Sequence, residues 1–512
     1  MKNIKLIIIV LLSAFALTSC EDFLTDKPES VLTQVGFYTT PTRINQGILG
    51  CYAGMATIQT EEWLYTELRS DNTCQDQTGS SATIRIDQTD VSSFRTSPSL
   101  PSLQTYWYKI FQNISNINAV IPSLADNKYV TIESQRAQYE AELLFMRAYH
   151  YYTLVNLFGD MFKITTVIGP KEAKNTPRSP VLEIYNEIII PDLKKAAAQA
   201  PASYGAADKG RITKWAAKGM LAKVYMMLGG TENLALAKTL LEEVMAAPQH
   251  NLLTGANAYA NVFSTTNEMN NEIIFAIRYK GGSLGLGSNF WPTFAPIGSA
   301  NQFLKVGTPL GFNAPTQEIM NLFNADPSDT RAKTCFSVWK RSETASYPYI
   351  TKYADPSMSQ ALQAENDWIV LRYADIVLLY AEVLAQNGSF SSAHTYVNQI
   401  RTRAGLTNIG PFGSKEEALD AVYAERRLEL AFENQRWFDL LRMAKSYNNP
   451  NKPVEILIQH TFVTDWELMY SKYNPIQPPE QRFFIKERLL LPIPQTEIDT
   501  NNEVVISQNE TY

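Results

Sequence analysis

The sequence predicts a mainly α protein: a scaffold of helical hairpins, with an irregular, loop-rich region packed on it and minor short strands. Three observations lead there. First, Gln135 to Phe158 carries apolar or aromatic residues at Ala137, Ala141, Leu144, Ala148, Tyr151 and Val155, the three-four spacing of a buried helix face, and Gly159-Asp160 ends it. Second, two segments repeat one pattern: Ala222 to Gly229, followed by Ala237 and Leu241, and Ala381 to Gly388, followed by Ala393, Val397 and Ile400. Third, the middle of the chain loses the helix period, with four glycines between Gly281 and Ser288 and aromatics scattered from Phe290 to Tyr353.

The other elements follow in order. Leu103 to Ile121 reads as a helix stopped by Pro122, and Val181 to Ala198 as another. In the repeated segments, Ala222 matches Ala381, Val224 matches Val383 and Gly229 matches Gly388. Small residues let paired helices approach and the glycine permits the turn, so each segment resembles a tetratricopeptide-like hairpin. Ile273 to Ile277 is strand-like. Lys415 to Ala444 supplies one long helix, or two joined near Asn434, and Leu489 to Pro494 reads as an extended finishing segment.

Composition narrows the class. A chain of 512 residues that is 45% hydrophobic has material for a large core, and its length suggests about three domain units. The formal charge of -6 lacks the basic footprint of a nucleic-acid binder. Lys2 and Lys5 precede an apolar stretch, Ile7 to Leu12 and Ala14 to Leu17, too short to span a bilayer comfortably, and it closes on Leu17-Thr18-Ser19-Cys20. That pattern looks like a bacterial lipoprotein signal over residues 1–19, with Cys20 as the lipidated first residue of a tether over 20–40. Removing both lysines moves the charge from -6 to -8. Three cysteines remain: a Cys51–Cys74 bridge is open, and Cys335 reads as a free buried thiol.

Catalytic signatures are weak. His150, His250, His394 and His460 form no HExxH, no Asp-rich calcium loop is evident, and no metal or organic cofactor is required. Gly281-Gly-Ser283-Leu-Gly285 matches the nucleophile-elbow pattern but runs on into Gly287 and Pro292 rather than a helix, which favours a loop. Glu425, Arg426, Glu429, Glu433, Arg436 and Asp439 have the spacing of an ion-pair ladder on a helix.

An ordered set of segments carries a resemblance. It runs through Cys20-Glu-Asp-Phe-Leu24, Glu67 to Asn72, Trp107 to Asn116, Ala141 to Tyr152 with Leu157-Phe-Gly-Asp160, Gly210 to Ala217, Leu371 to Glu382, Ile400 to Gly405, Glu425 to Leu430, Arg436 to Leu440 and Leu491 to Pro494. Together these resemble the SusD/RagB family of Bacteroidetes outer-membrane nutrient-binding lipoproteins. One departure is that Asp160 is followed by Met161-Phe162-Lys163, where the family often has a hydrophobic-Pro pair. The resemblance implies a body over 41–512, with the helical scaffold mainly in 41–77, 102–250 and 366–446 and the ligand region mainly in 78–101 and 251–365. It also implies a non-catalytic lipoprotein at the cell exterior, lidding a SusC-like TonB-dependent transporter and capturing oligosaccharides. Peptide capture on the same fold and, further off, a secreted hydrolase are the alternatives.

A sugar ring has an apolar face edged by hydroxyls, so an exposed ring can stack on it while amides, carboxylates and guanidinium groups orient it. The loop-borne candidates for the platform are Trp291, Trp339 and Phe94, with Asp71, Asn72, Arg95 and Asn289 as polar partners. Core packing is the alternative for each ring, and capping for Asp71 and Asn72. Trp63, Trp107, Trp215 and Trp437 are assigned to packing.

Overall fold

The computed structural model describes residues 37–75, 86–125, 127–343, 346–464, 480–501 and 503–512. The signal, Cys20 and residues 78–85 of the first loop segment lie outside these. The first helix, α1 (Pro41–Thr66), starts on Thr40, whose hydroxyl accepts from the Arg43 N–H at 3.3 Å, and places Pro41 where no amide donor is needed. It packs against α2 (Pro101–Val120), which Pro122 does not stop abruptly; the chain tightens there into a 3-10 turn, Ile121–Leu124.

At the centre stands α3 (Glu133–Phe158), buried on every side from Ala141 to Phe158, as a helix surrounded by other helices must be. Gly159 ends it at φ 78°, and the chain leaves as Met161–Phe162, paired with Arg178–Ser179. The expected helix from Val181 to Ala198 is divided into α4 (Val181–Ile184), a π turn (Tyr185–Ile189) and α5 (Ile190–Gln199). Pro191 is the cause: it has no N–H for the Glu187 carbonyl and its ring would crowd that group, so the preceding turn widens.

Next comes the first predicted hairpin, α6 (Lys214–Leu228) and α7 (Thr231–Met245), which turns at Gly229 and Gly230 with φ 69° and 81°. The second appears later in the chain as a closely similar pair. The irregular region between them includes strand β1 (Ile273–Ile277), the short helix α8 (Phe290–Phe294) and the antiparallel hairpin β2 (Phe336–Lys340) and β3 (Ser346–Ile350). Strand β4 (Trp368–Arg372) returns to pair with β1, buried along its length, and feeds the second hairpin, α9 (Tyr373–Gln386) and α10 (Phe390–Arg403), whose turn is Gly388 at φ 78°. Helix α7 packs on α9, so the two hairpins stack, and α11 (Lys415–Glu429) closes the array against α9 and α10. The stretch from Lys415 is two helices, because Phe432 and Asn434 are left-handed at φ 67° and 59° before α12 (Arg436–Ser446).

Cys51 and Cys74 form no disulfide with each other; Cys51 is buried, and the buried Cys335 thiol lies 3.3 Å from the Tyr259 hydroxyl. Ser283 sits exposed in a loop closed by a Lys280–Leu286 bridge, and the loop does not run directly into a helix. The expected helix-surface ion ladder is instead an interior network. Glu425 and Glu429 pair with Arg331, Glu429 and Glu433 with Arg372, Arg426 with Asp375 and Asp439, and Glu433 with Lys352.

Candidate functional site

The polar candidates near the first loop are structural. Asp71 is fully buried and takes both oxygens to Arg436 at 2.7 Å, with Arg427 at 3.1 Å. Burial alone would raise its carboxyl, but Arg427 and Arg436 outweigh it and hold the group well below the usual carboxylate range. Asn72 is buried beside it, donating to Glu67 at 3.0 Å and accepting from Arg427 at 3.0 Å. Phe94 is closed inside the core, its ring 4.7 Å from Phe484 and 6.0 Å from Trp437, with the Arg69 guanidinium 5.1 Å over it. These three are corrections to the expected ligand surface. Asp71 and Asn72 meet Arg427 and Arg436, and Phe94 meets Trp437 and Phe484, all from the far end of the chain, beyond what local spacing reveals. Arg95 is partly exposed and bonds Asp90 and Ser93, both at 3.2 Å.

The other two rings do meet. Trp291 on α8 and Trp339 on β2 belong to one satellite cluster with Tyr347, Tyr349, Leu304 and Met358, separate from the main core. Both are buried, 4% and 8% exposed, so they are not the open platform the sequence suggested. What covers them is Phe303. Its ring meets Trp291 edge-on at 6.3 Å and Trp339 edge-on at 6.2 Å, and lies 5.1 Å from Tyr349. Beneath, Trp339 lies 5.5 Å from Tyr347 across the β2–β3 ladder, where the two are directly paired. The neighbouring Gln302 accepts from the Trp339 indole N–H at 2.8 Å. Phe303 and Gln302 were missed because the short mixed stretch Ala300 to Lys305 gives no periodic signal.

Polar groups in and beside this cluster remain open. The Trp291 indole Nε1, the Asn289 amide oxygen and the Ser299 hydroxyl are buried without a hydrogen-bond partner among the described residues. Lys305, Lys340 and Arg341 stand exposed in the surrounding chain. Ring faces beside open polar groups suit a ligand with an apolar face and hydroxyl edges.

Other hollows fit less well. An internal cavity of about 30 Å³, lined by Glu62, Tyr149, Met220, Trp368 and Asn434, has room for water and not for a sugar ring. An open hollow of about 370 Å³ along α10 is lined by His394, Asn398, Thr402 and Asn408, and offers no Trp, Tyr or Phe face. Among the described residues, no group of three or more His, Cys, Asp or Glu could hold a metal ion, and no helix is long and apolar enough to cross a membrane.

Stacked helical hairpins bearing one irregular, aromatic-rich layer define a tetratricopeptide-like ligand-binding scaffold. The chain belongs to the SusD family: the family's own model matches residues 337–512, and a second, described as starch-binding associating with outer membrane, matches residues 22–226. A SusD-like protein of Formosa agariphila is 25% identical over 86% of this chain and 90% of its own length. The crystal structure of a SusD superfamily protein from Parabacteroides distasonis superposes with a TM-score of 0.72 at 25% identity, covering 91% of this chain and 99% of that one. The surface glycan-binding protein A from Bacteroides thetaiotaomicron, solved in complex with laminarihexaose, shares the fold with a TM-score of 0.73 at 20% identity, covering 92% and 100%.

Proposed function

We propose that this protein is a non-catalytic cell-surface receptor that binds oligosaccharides and delivers them to a partner TonB-dependent outer-membrane transporter, held to the membrane by lipid at Cys20. The observation that carries the reading is the Trp291–Trp339 cluster, which gathers ring faces and unpaired polar groups in the irregular layer outside the helical scaffold. Likeness to glycan-binding neighbours, one of them a laminarin-binding SusD-like protein, supports the same ligand class. A flat ring over a sugar face contributes ordinary apolar burial, on the order of 25 cal/mol per Å², while hydroxyl contacts fix orientation.

Calorimetric titration with panels of neutral oligosaccharides and of short peptides tests the reading. Saturable oligosaccharide binding is expected, weakened by Trp339→Ala. Saturable peptide binding with no oligosaccharide binding overturns it in favour of a peptide receptor. Radiolabelled palmitate incorporation that disappears in Cys20→Ser, together with co-purification of the transporter from outer membranes, tests the anchor and the partner.

A further inference from the structure

We propose that the loop from Ile297 to Pro309 is a lid, and that its Gln302–Phe303 pair occupies the sugar subsite of the aromatic cluster as a built-in stand-in for ligand. The proposal rests on the glycan-binding reading above and adds how the site is gated.

Four observations carry it. Phe303 is only partly buried, yet it fills the space between Trp291, Trp339 and Tyr349, where it supplies a flat apolar ring of about the size of a hexose. Gln302, itself exposed, supplies a polar acceptor to the Trp339 indole N–H, as a sugar hydroxyl would. The loop is hydrogen-bonded to α8 on its far side, and between its glycines it rests on the cluster through Phe303, the buried Leu304 and Val306, all of which move with it on opening. After the loop, the Leu310, Gly311 and Phe312 amides bond back to the carbonyls of Pro292, Ala295 and Thr293 at 2.8–2.9 Å. Within it, Gly298 and Gly307 take φ of 76° and 86°, positions where a glycine pivots without strain. Finally, the Trp291 indole N–H and the Ser299 hydroxyl are more than nine-tenths buried and unpartnered among the described residues. A buried unpaired donor is costly in a finished core and is explained when a ligand completes it.

Lid opening exposes the faces of Trp291 and Trp339 and frees both indole N–H groups toward acceptor oxygens. The ligand class is then a sugar ring with one apolar face and hydroxyls at its edge. Because binding needs the open form, the apparent affinity is the intrinsic affinity reduced by the open fraction. Removing a contact that holds the lid shut must therefore tighten binding, the reverse of what deleting a ligand contact does.

Two measurements separate the proposal from the reading beneath it. Without ligand, hydrogen exchange followed by mass spectrometry is expected to show amides of 297–309 exchanging through local opening while α3 stays protected. Exchange of the loop only together with α3 would show a fixed satellite core and overturn the lid, whatever the protein binds. With the oligosaccharide panel, Gln302→Ala is expected to bind about 5-fold more tightly, the loss of one ordinary hydrogen bond from the closed state, and Phe303→Ala more tightly still. Gln302 is exposed, so its variant tests the lid even if Phe303→Ala does not fold. Unchanged or weaker binding by Gln302→Ala overturns the stand-in role. Absence of oligosaccharide binding by wild type and both variants overturns the glycan reading, and the sugar stand-in with it, while the exchange result still decides whether the loop is a lid.

Discussion

Single residues in this protein are governed by burial more than by sequence neighbourhood. Glu62 on α1 is fully enclosed, accepting from the Tyr149 hydroxyl at 3.2 Å and facing that of Tyr106 at 3.5 Å. Burial raises its carboxyl from 4.5 to about 7, and the two tyrosine hydroxyls only moderate that rise. The folded chain thus holds a proton that the unfolded chain releases. The resulting stability is fully present below about pH 4.5 and is lost as pH rises through about 7. Glu62→Gln keeps an acceptor for both tyrosines and removes the titration. Urea denaturation of the two proteins between pH 4.5 and pH 7 is expected to show wild type losing on the order of 3 kcal/mol more than the variant. Parallel pH profiles would show that Glu62 is ionised in the fold. His150 follows the same rule from the other side: burial lowers it to about 3, leaving a neutral ring bonded to Asn113 at 2.8 Å.

At the scale of elements, close approach decides what a position tolerates. Helix α1 carries two glycines four residues apart with opposite surroundings. A Cβ on Gly54 would meet the Asn113 amide at 2.2–2.8 Å, and that amide is already fixed by the Cys51 carbonyl and His150. A Cβ on Gly50 would meet nothing within 4 Å. Gly54→Ala is therefore expected to destabilise by about 1–3 kcal/mol through overpacking of the α1–α2 contact. Gly50→Ala is expected to stabilise by about 0.5–1 kcal/mol through helix propensity. Thermal melts of the two variants check the opposite signs; the same sign in both would refute the packing argument. Legibility follows the same division. The hairpins at Gly229 and Gly388 and the α3 period were readable because helix pairing is written in residues three and four apart. The π turn at Tyr185–Ile189 depends on how carbonyls are accommodated before Pro191, which the apolar period does not encode, while the break beside Asn434 was one of the two readings left open. Trp291 and Trp339, expected together with Phe94 as an exposed ring platform, lie in one buried cluster without Phe94, because Phe303 reaches them only in the folded chain.

For the whole molecule, the open question is how an irregular layer stays in register with a helical scaffold, and the interior ion network answers it. Arg331 and Lys352 come from the irregular region; Glu425 and Glu429 come from α11, and Glu433 from the bend after it. Arg372, at the end of β4, bridges Glu272, Glu429 and Glu433 at 2.6–2.9 Å. Four-residue spacing along a helix arranges carboxylates equally well for neighbouring side chains or for another element; here every one of these acids faces inward, and the cations arrive from elsewhere. Glu429 is the hub. Burial opposes its charge, yet Arg403, Arg372 and Arg331 hold its carboxyl at about 2. Glu429→Gln preserves the shape and leaves those guanidinium groups short of counter-charge inside the protein, an expected loss of about 3–5 kcal/mol. Because Arg331 is one of the groups left short, the damage falls on the junction between layer and scaffold. Timed limited proteolysis at a temperature where wild type resists is expected to cut the variant first within 251–365, while fragments bearing α3 and the hairpins persist. Loss of both layers at one rate would mean that the network stabilises the molecule uniformly and does not tie one layer to the other.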